Sequence, residues 1–318
     1  MLMGIFEAAR IVPRTAPSFT LPLTIISGFL GAGKTTLVNR LLSDPAGRRI
    51  AVLVNDFAAV NIDEELIRFR TGDAIGLTNG CACCSINGDL VKAIQRLVER
   101  SDPPEAIVLE ASGIADPRGI AQIALANPAV RLDAIITLID AETCLERLQD
   151  GRTRSTLMAQ ISAADIIAIN KIDLVEARCK EIRETVESIA PKRVLLETTH
   201  GNVPTEVALG AGKHGSSVFA CSPGDHATGF SSATRTWKDP VDRTAIERAL
   251  RDLPPYVIRA KGTFSFKGEG DKRYVYQRVG GREALEPSSE PIATHSESRL
   301  VLIGFSNSWK EAEISALL

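Results

Sequence analysis

The sequence predicts an α/β fold, a mostly parallel sheet flanked by helices, followed by a small α+β C-terminal domain. Three observations predict it. Short continuous apolar runs recur at 23–27, 50–54, 106–109, 134–139, 166–169 and 194–196, as strands buried on both faces require. Helix-like segments at 36–42, 88–100, 119–126 and 177–190 alternate with them, which is the pattern of a parallel sheet covered by helices. The first run leads straight into Gly28-Phe29-Leu30-Gly31-Ala32-Gly33-Lys34-Thr35-Thr36. That stretch fits the phosphate-binding pattern G-x-x-x-x-G-K-[ST] without a mismatch, preceding strand included.

The chemistry of a phosphate loop demands these residue types. Gly28, Gly31 and Gly33, with the small Ala32, let the backbone turn tightly, so that successive N–H groups face phosphate oxygens. A helix beginning near Lys34 adds its positive end. Lys34 reaches the β- and γ-phosphates, and the Thr35 hydroxyl ligates Mg²⁺, with Thr36 beside it in the motif. The bland alternative is a glycine-rich turn with no ligand, and the agreement of spacing and context disfavours it. The fold expected is therefore that of a P-loop NTPase.

Farther along, Ala106-Ile107-Val108-Leu109-Glu110 is an apolar strand ending in a carboxylate, the context of a Walker-B element. Glu110 is expected to hold Mg²⁺ through water or to orient the attacking water. The Ser112-Gly113 pair that follows resembles a switch segment in which the Gly113 N–H senses the γ-phosphate. Asn170-Lys171-Ile172-Asp173 follows the strand at 166–169 in the N-K-x-D arrangement of guanine selection. A carboxylate at Asp173 accepts from guanine N1–H and from its exocyclic amine, and adenine offers neither donor. GTP is expected over ATP. Asp56 and Asp63, after the second strand, are candidates for a switch segment, with a solvated loop as the alternative.

Cys81-Ala82-Cys83-Cys84 concentrates three thiols, soft ligands suited to Zn²⁺ or Cu(I). Three thiolates leave a tetrahedral site one ligand short, so a fourth ligand or an open position is implied. The alternative is that one or two of them are small core residues. Cys144, Cys179 and Cys221 are isolated and each reads as a packing residue or a bystander, and the four histidines show no ligand spacing.

With 318 residues, the chain is long enough for one large domain and a smaller one, at about 100–200 residues each. Residues 1–20 read as a loosely ordered leader, 21–212 as the nucleotide domain, 213–242 as a Gly/Ser/Thr/His/Pro-rich linker and 243–318 as the C-terminal domain. In that last part a helix is expected at 243–253, strands at 257–261, 262–266, 273–278 and 299–305, and a closing helix at 309–317. A net charge of −2 gives no general attraction to nucleic acid or to an anionic membrane. No apolar run approaches the roughly 18 residues of a membrane span. Six cysteines, three of them clustered, do not make a disulfide framework and point to a reducing, cytoplasmic setting.

Together the segments 28–36, 55–63, 79–84, 110–117 and 170–173 resemble the CobW-like family of P-loop GTPases. Arg259-Ala260-Lys261-Gly262 and Ser298-Arg299-Leu300-Val301-Leu302-Ile303-Gly304 resemble that family's small C-terminal domain, so the likeness runs from about residue 23 to the end. It implies a GTPase that binds Zn²⁺, or sometimes Co²⁺ or another divalent ion, on Cys81, Cys83 and Cys84. The ion would be delivered to a client metalloprotein, or cofactor assembly on a dependent enzyme assisted. The C-terminal domain would help form the client surface, and homodimerisation is left open. Many members read Asn-Glu-Phe-Gly-Glu where this chain has Asn55-Asp56-Phe57-Ala58-Ala59. That leaves Asp56, with Asp63, as the remaining acidic candidate for catalysis beside Lys34 and Glu110. The histidine-rich tract of many members is also absent, with only His214 and His226 in that region. The leading reading is a GTP-gated metallochaperone. Its rivals are a cofactor-inserting GTPase with structural cysteines, a poorly catalytic metal sensor and a small-molecule kinase.

Overall fold

The computed structural model describes residues 20–54, 74–76, 85–210, 229–288 and 297–305; for 74–76 and 85–89 the backbone is described. The leader, the segment around Asp56 and Asp63, Cys81, Cys83 and Cys84, the first part of the linker and the closing helix lie outside the described residues.

The apolar runs form β1 (Leu21–Gly28), β2 (Ile50–Val54), β4 (Ala106–Glu110), β5 (Val130–Asp140), β6 (Ile166–Asn170) and β7 (Val194–Thr198), joined by the short β3 (Ala74–Gly76). They make one seven-stranded sheet in the order β3-β2-β4-β1-β5-β6-β7, and every neighbouring pair is parallel. Successive side chains on a strand point to opposite faces, and here both faces are apolar. Ile26, Val52, Val108 and Ile136 pack on one side with Leu37, Val38 and Leu41 of α1 (Lys34–Ser43). Leu23, Ile25, Leu53 and Ile107 pack on the other with α2 (Ser85–Val98) and α3 (Pro117–Ala126). The same layer continues through α4 (Cys144–Gln149), α5 (Arg154–Ala163) and α6 (Cys179–Ile189) against β5, β6 and β7.

After α7 (Thr205–Leu209), a second sheet of β8 (Phe230–Trp237), β9 (Val257–Ser265), β10 (Arg273–Val279), β11 (Arg282–Pro287) and β12 (Ser298–Phe305) is antiparallel throughout, in the order β11-β10-β9-β12-β8. Ile246 and Leu250 of α8 (Arg243–Arg251) cover one face through Phe264, Phe266, Tyr274, Tyr276, Leu300 and Leu302.

The two sheets meet along a mixed seam. Ile258, Val279 and Ile303 join the apolar cluster that holds Val207, Ala208 and Leu209 of α7. Beside them Arg259, 3% exposed, donates to the carbonyls of Val207 and Ala208 and pairs with Asp133 at 2.7 Å. Arg282 reaches Asp165 at 2.8 Å and the carbonyls of Leu132 and Asp133. Burial alone would push the Asp133 carboxyl up, but the Arg259 and Arg131 guanidiniums outweigh it and hold it below its usual range.

Some elements differ from the expectation. Strands 257–261 and 262–266 are a single strand, because Gly262 serves close packing and not a break: a Cβ there would stand 2.8 Å from the Phe264 ring and 3.0 Å from the Arg299 carbonyl. Within the stretch read as linker, Phe230–Trp237 is an edge strand paired with β12, its Ser/Thr-rich composition masking the alternation. β11 and the helices α4 and α5 carried too weak an apolar pattern to be anticipated.

Candidate functional site

β1 ends at Gly28 between β4 and β5, where successive strands depart to opposite sides of the sheet. Ligands of open α/β sheets bind in the crevice at such a point. The chain turns through Gly31 and Gly33, at φ of 80° and 102°, and enters α1 at Lys34. Gly33 is needed twice over, since a Cβ would also stand 2.4 Å from Asn170 Nδ2. No side chain caps α1, so its first N–H groups face the loop, the arrangement that an anionic phosphate completes. Lys34 is buried, and its ammonium donates into the loop at Phe29 O, 3.2 Å away. Arg147 of α4 lies over the Phe29 ring at 4.1 Å.

At the adjoining strand end, Thr35 Oγ1 donates to Glu110 Oε1 at 2.7 Å. Glu110 is 4% exposed and sits beside Ile26 of β1 and Val54 of β2 in the sheet register. Two hard oxygen donors side by side at the end of a phosphate loop fit Mg²⁺. Past Glu110, Ala111 N–H donates to Ile26 O, and a tight turn closes from Ala115 N–H to Ser112 O. Gly113 lies against the loop so closely that a Cβ would stand 2.8 Å from Leu30 N. Gln160 of α5, wholly buried, donates from Nε2 to Gly113 O and to Ala115 O, both at 3.2 Å.

At the other end, Asn170 ties three segments together. Its Nδ2 donates to Ala32 O, and its Oδ1 accepts from Gly201 N–H, both at 2.9 Å. Lys171 takes a left-handed conformation, φ 64°, and its ammonium pairs with Asp140 at 2.8 Å. Asp173 stands exposed on the short 3₁₀ turn Ile172–Leu174. The Asn-Lys-x-Asp turn, the phosphate loop and the Thr198–Gly201 loop therefore converge on one crevice.

A family model described as the CobW/HypB/UreG nucleotide-binding domain matches residues 22–197. The chain belongs to the CobW/HypB/UreG family. A second model, the cobalamin synthesis protein cobW C-terminal domain, matches residues 230–318. The chain is similar to the zinc chaperone CobW of a Sinorhizobium species, 29% identical over an alignment that covers 94% of this chain and 96% of the relative. It is also similar to the zinc chaperone YjiA of Escherichia coli K12, 30% identical over 81% of this chain and 85% of the relative. Among solved structures, Zn(II)-bound YjiA GTPase from E. coli aligns with a TM-score of 0.45 at 24% identity, covering 94% of this chain and 98% of that one.

In this CobW/HypB/UreG chain, the residues expected from sequence at 28–36 and 110–113 come together with Asn170, Lys171 pairs with Asp140 and Asp173 stands exposed on the turn that follows, whereas Asp56, Cys81, Cys83 and Cys84 fall outside the described residues. Among the described residues no three His, Cys, Asp or Glu side chains gather as a metal site, and no helix is long and apolar enough to cross a membrane. Cys144 is buried, and Cys179 is half-buried with its thiol directed at Ile172 O. Sequence reasoning missed Asp140, Gln160 and Gly201. Asp140 carries the same signal that singled out Glu110, an acid closing an apolar strand. Gln160 is a lone polar residue on the apolar side of a helix.

Proposed function

We propose that this GTPase is a metallochaperone that holds Zn²⁺, or another divalent ion, on Cys81, Cys83 and Cys84 and releases it to a client metalloprotein under nucleotide control. The observation that carries the reading is where the described elements on either side of those cysteines end and begin. β3 ends at Gly76 in register with Val54, which in turn is in register with Glu110, and α2 begins at Ser85, directly after Cys84. The elements that bracket the cysteines in sequence are thus a strand ending in register with Glu110 and a helix start. β3 lies three strand spacings from β1, or ~14 Å. Three thiolates are soft donors that suit Zn²⁺, and relatives over most of the chain are named zinc chaperones.

In this reading Lys34 and the N–H groups of 28–36 hold the phosphates, and Thr35 with Glu110 holds Mg²⁺, which neutralises charge developing on the transferring phosphoryl group. The Gly113 N–H faces the γ-phosphate. Asn170 and Lys171 frame the base pocket, and Asp173 accepts from guanine. Glu110 or Asp56 orients the attacking water. Contacts made only to the γ-phosphate order the segments after β2 and β4. Because the cysteines fall between those segments in the chain, hydrolysis alters thiolate geometry and metal affinity. Linkage then requires bound metal to change nucleotide affinity by the same factor.

The experiment is to load the protein with one equivalent of Zn²⁺ and follow its release to a chromophoric chelator during GTP turnover and with a non-hydrolysable analogue. Release that accelerates with turnover supports metal delivery. Equal release rates in both conditions contradict it.

A further inference from the structure

We propose that Gln160 is a positioning residue for hydrolysis, the group that orients the γ-phosphate-facing turn 112–115; the proposal rests on the reading of Gly113 given above. The backbone under Gln160 is anchored to the sheet, since its carbonyl accepts from the buried Thr137 Oγ1 at 2.9 Å. Its side-chain nitrogen places one hydrogen on Gly113 O and the other on Ala115 O. The turn itself is closed by one internal bond, Ala115 N–H to Ser112 O. One side chain thus holds two of the turn's carbonyls, and with them the position of Gly113, which packs against Leu30 of the phosphate loop.

A packing role alone does not account for this residue. Its neighbours on the buried side of α5 are Leu157 and Ile161, and an apolar side chain would fill the space without burying an amide. Gln160 Oε1 is buried and has no hydrogen-bond partner among the described residues, against the usual satisfaction of buried polar groups. A γ-phosphate that draws the Gly113 N–H inward must either carry the amide with it or strip the amide of both acceptors. Either way Gln160 distinguishes the two nucleotide states.

Two measurements test this. In the intact wild-type chain, the side-chain NH₂ resonances of Gln160 are followed by NMR with GDP and with a non-hydrolysable GTP analogue. The proposal expects distinct shifts in the two states, and identical shifts overturn it. In Gln160→Met, which keeps the volume and removes both donors, kcat is expected to fall about tenfold, the scale of one or two neutral hydrogen bonds. GDP affinity is expected to stay within about threefold of wild type on the same scale. Wild-type kcat, or equal losses of GDP and analogue affinity, would mark the residue as merely structural. Replacing the Gly113 peptide N–H by an ester oxygen separates the underlying reading, because it removes the donor without adding a Cβ against Leu30. If that variant turns over GTP normally, the Gly113 reading itself fails; if it is impaired while Gln160→Met is normal, only the Gln160 proposal fails.

Discussion

Thr35 and Glu110, 75 residues apart in the chain, share a 2.7 Å hydrogen bond that joins the first turn of α1 to the end of β4. The pair brings a hydroxyl and a carboxylate to the spot where a phosphate loop holds its Mg²⁺. Glu110→Gln keeps the shape and removes the charge. Its turnover is expected to fall about a hundredfold, with GDP affinity measured in EDTA unchanged. Loss of GDP binding in EDTA would mean that Glu110 acts on the loop's fold and not on the metal.

Asp173 is exposed on the turn after Asn170 and Lys171, which are themselves engaged by Ala32, Gly201 and Asp140; the proposed base site puts its carboxylate on guanine. Asp173→Asn replaces an acceptor by a donor–acceptor group. Guanine loses its partner for two N–H groups, and xanthine, with a carbonyl at the same position, gains one. GTP affinity is expected to fall by about a hundredfold or more, with a rise in affinity for xanthosine triphosphate. Unchanged GTP affinity would remove Asp173 from the base site.

The Arg259–Asp133 pair binds the second sheet to the first. Arg259→Met removes the shorter of Asp133's two guanidinium partners, leaving Arg131 at 4.0 Å, and strips two buried carbonyls of their donor, so it is expected to cost about 2–4 kcal/mol by denaturant unfolding, below the full penalty of an unpaired buried charge. Asp133→Asn/Arg259→Met should cost less than the single change. The Asp133 carboxyl is held below its usual range in the folded chain, so its stabilising contribution is complete above the unfolded carboxyl pKa of about 4 and is lost as pH falls below that. A wild-type stability that rises on acidification from pH 4 to 3 would contradict this sign.

Burial, with a smaller contribution from Asp140, pushes the Cys144 thiol up to about 11. At pH 7 its thiolate is therefore about one part in ten thousand. Native-state alkylation is expected to spare Cys144 until the chain unfolds. Cys81, Cys83 and Cys84 should be labelled in metal-free protein and protected by Zn²⁺. Labelling of those three that is indifferent to Zn²⁺ would count against the thiolate site.

Much of this was legible because the signals are local. The phosphate loop, the acid closing β4 and the Asn-Lys-x-Asp turn are each read within a few residues, and strands buried on both faces announce themselves as apolar runs. What escaped depends on distant contacts. Gln160 sits on a helix whose apolar side is interrupted by that very residue, and its partners at 113 and 115 belong to another element. β8 and β11 carry polar side chains on outer strands, so the alternation that marks a half-buried strand is diluted. Gly262 looked like a break because glycine punctuates turns more often than it admits a neighbouring phenylalanine. Arg259 was noticed as part of a motif, but its partner Asp133 lies on a different sheet.

The central claim is that nucleotide state and metal affinity are coupled through the cysteine segment. The measurement that tests it most directly is Zn²⁺ affinity by chelator competition on reduced protein, with a non-hydrolysable GTP analogue and then with GDP, in wild type and in Cys81/Cys83/Cys84→Ser. The account predicts tight binding that requires the cysteines and differs between the two nucleotides by about fivefold or more, the low end of allosteric coupling. Binding that ignores the cysteines, or is the same with both nucleotides, would contradict it.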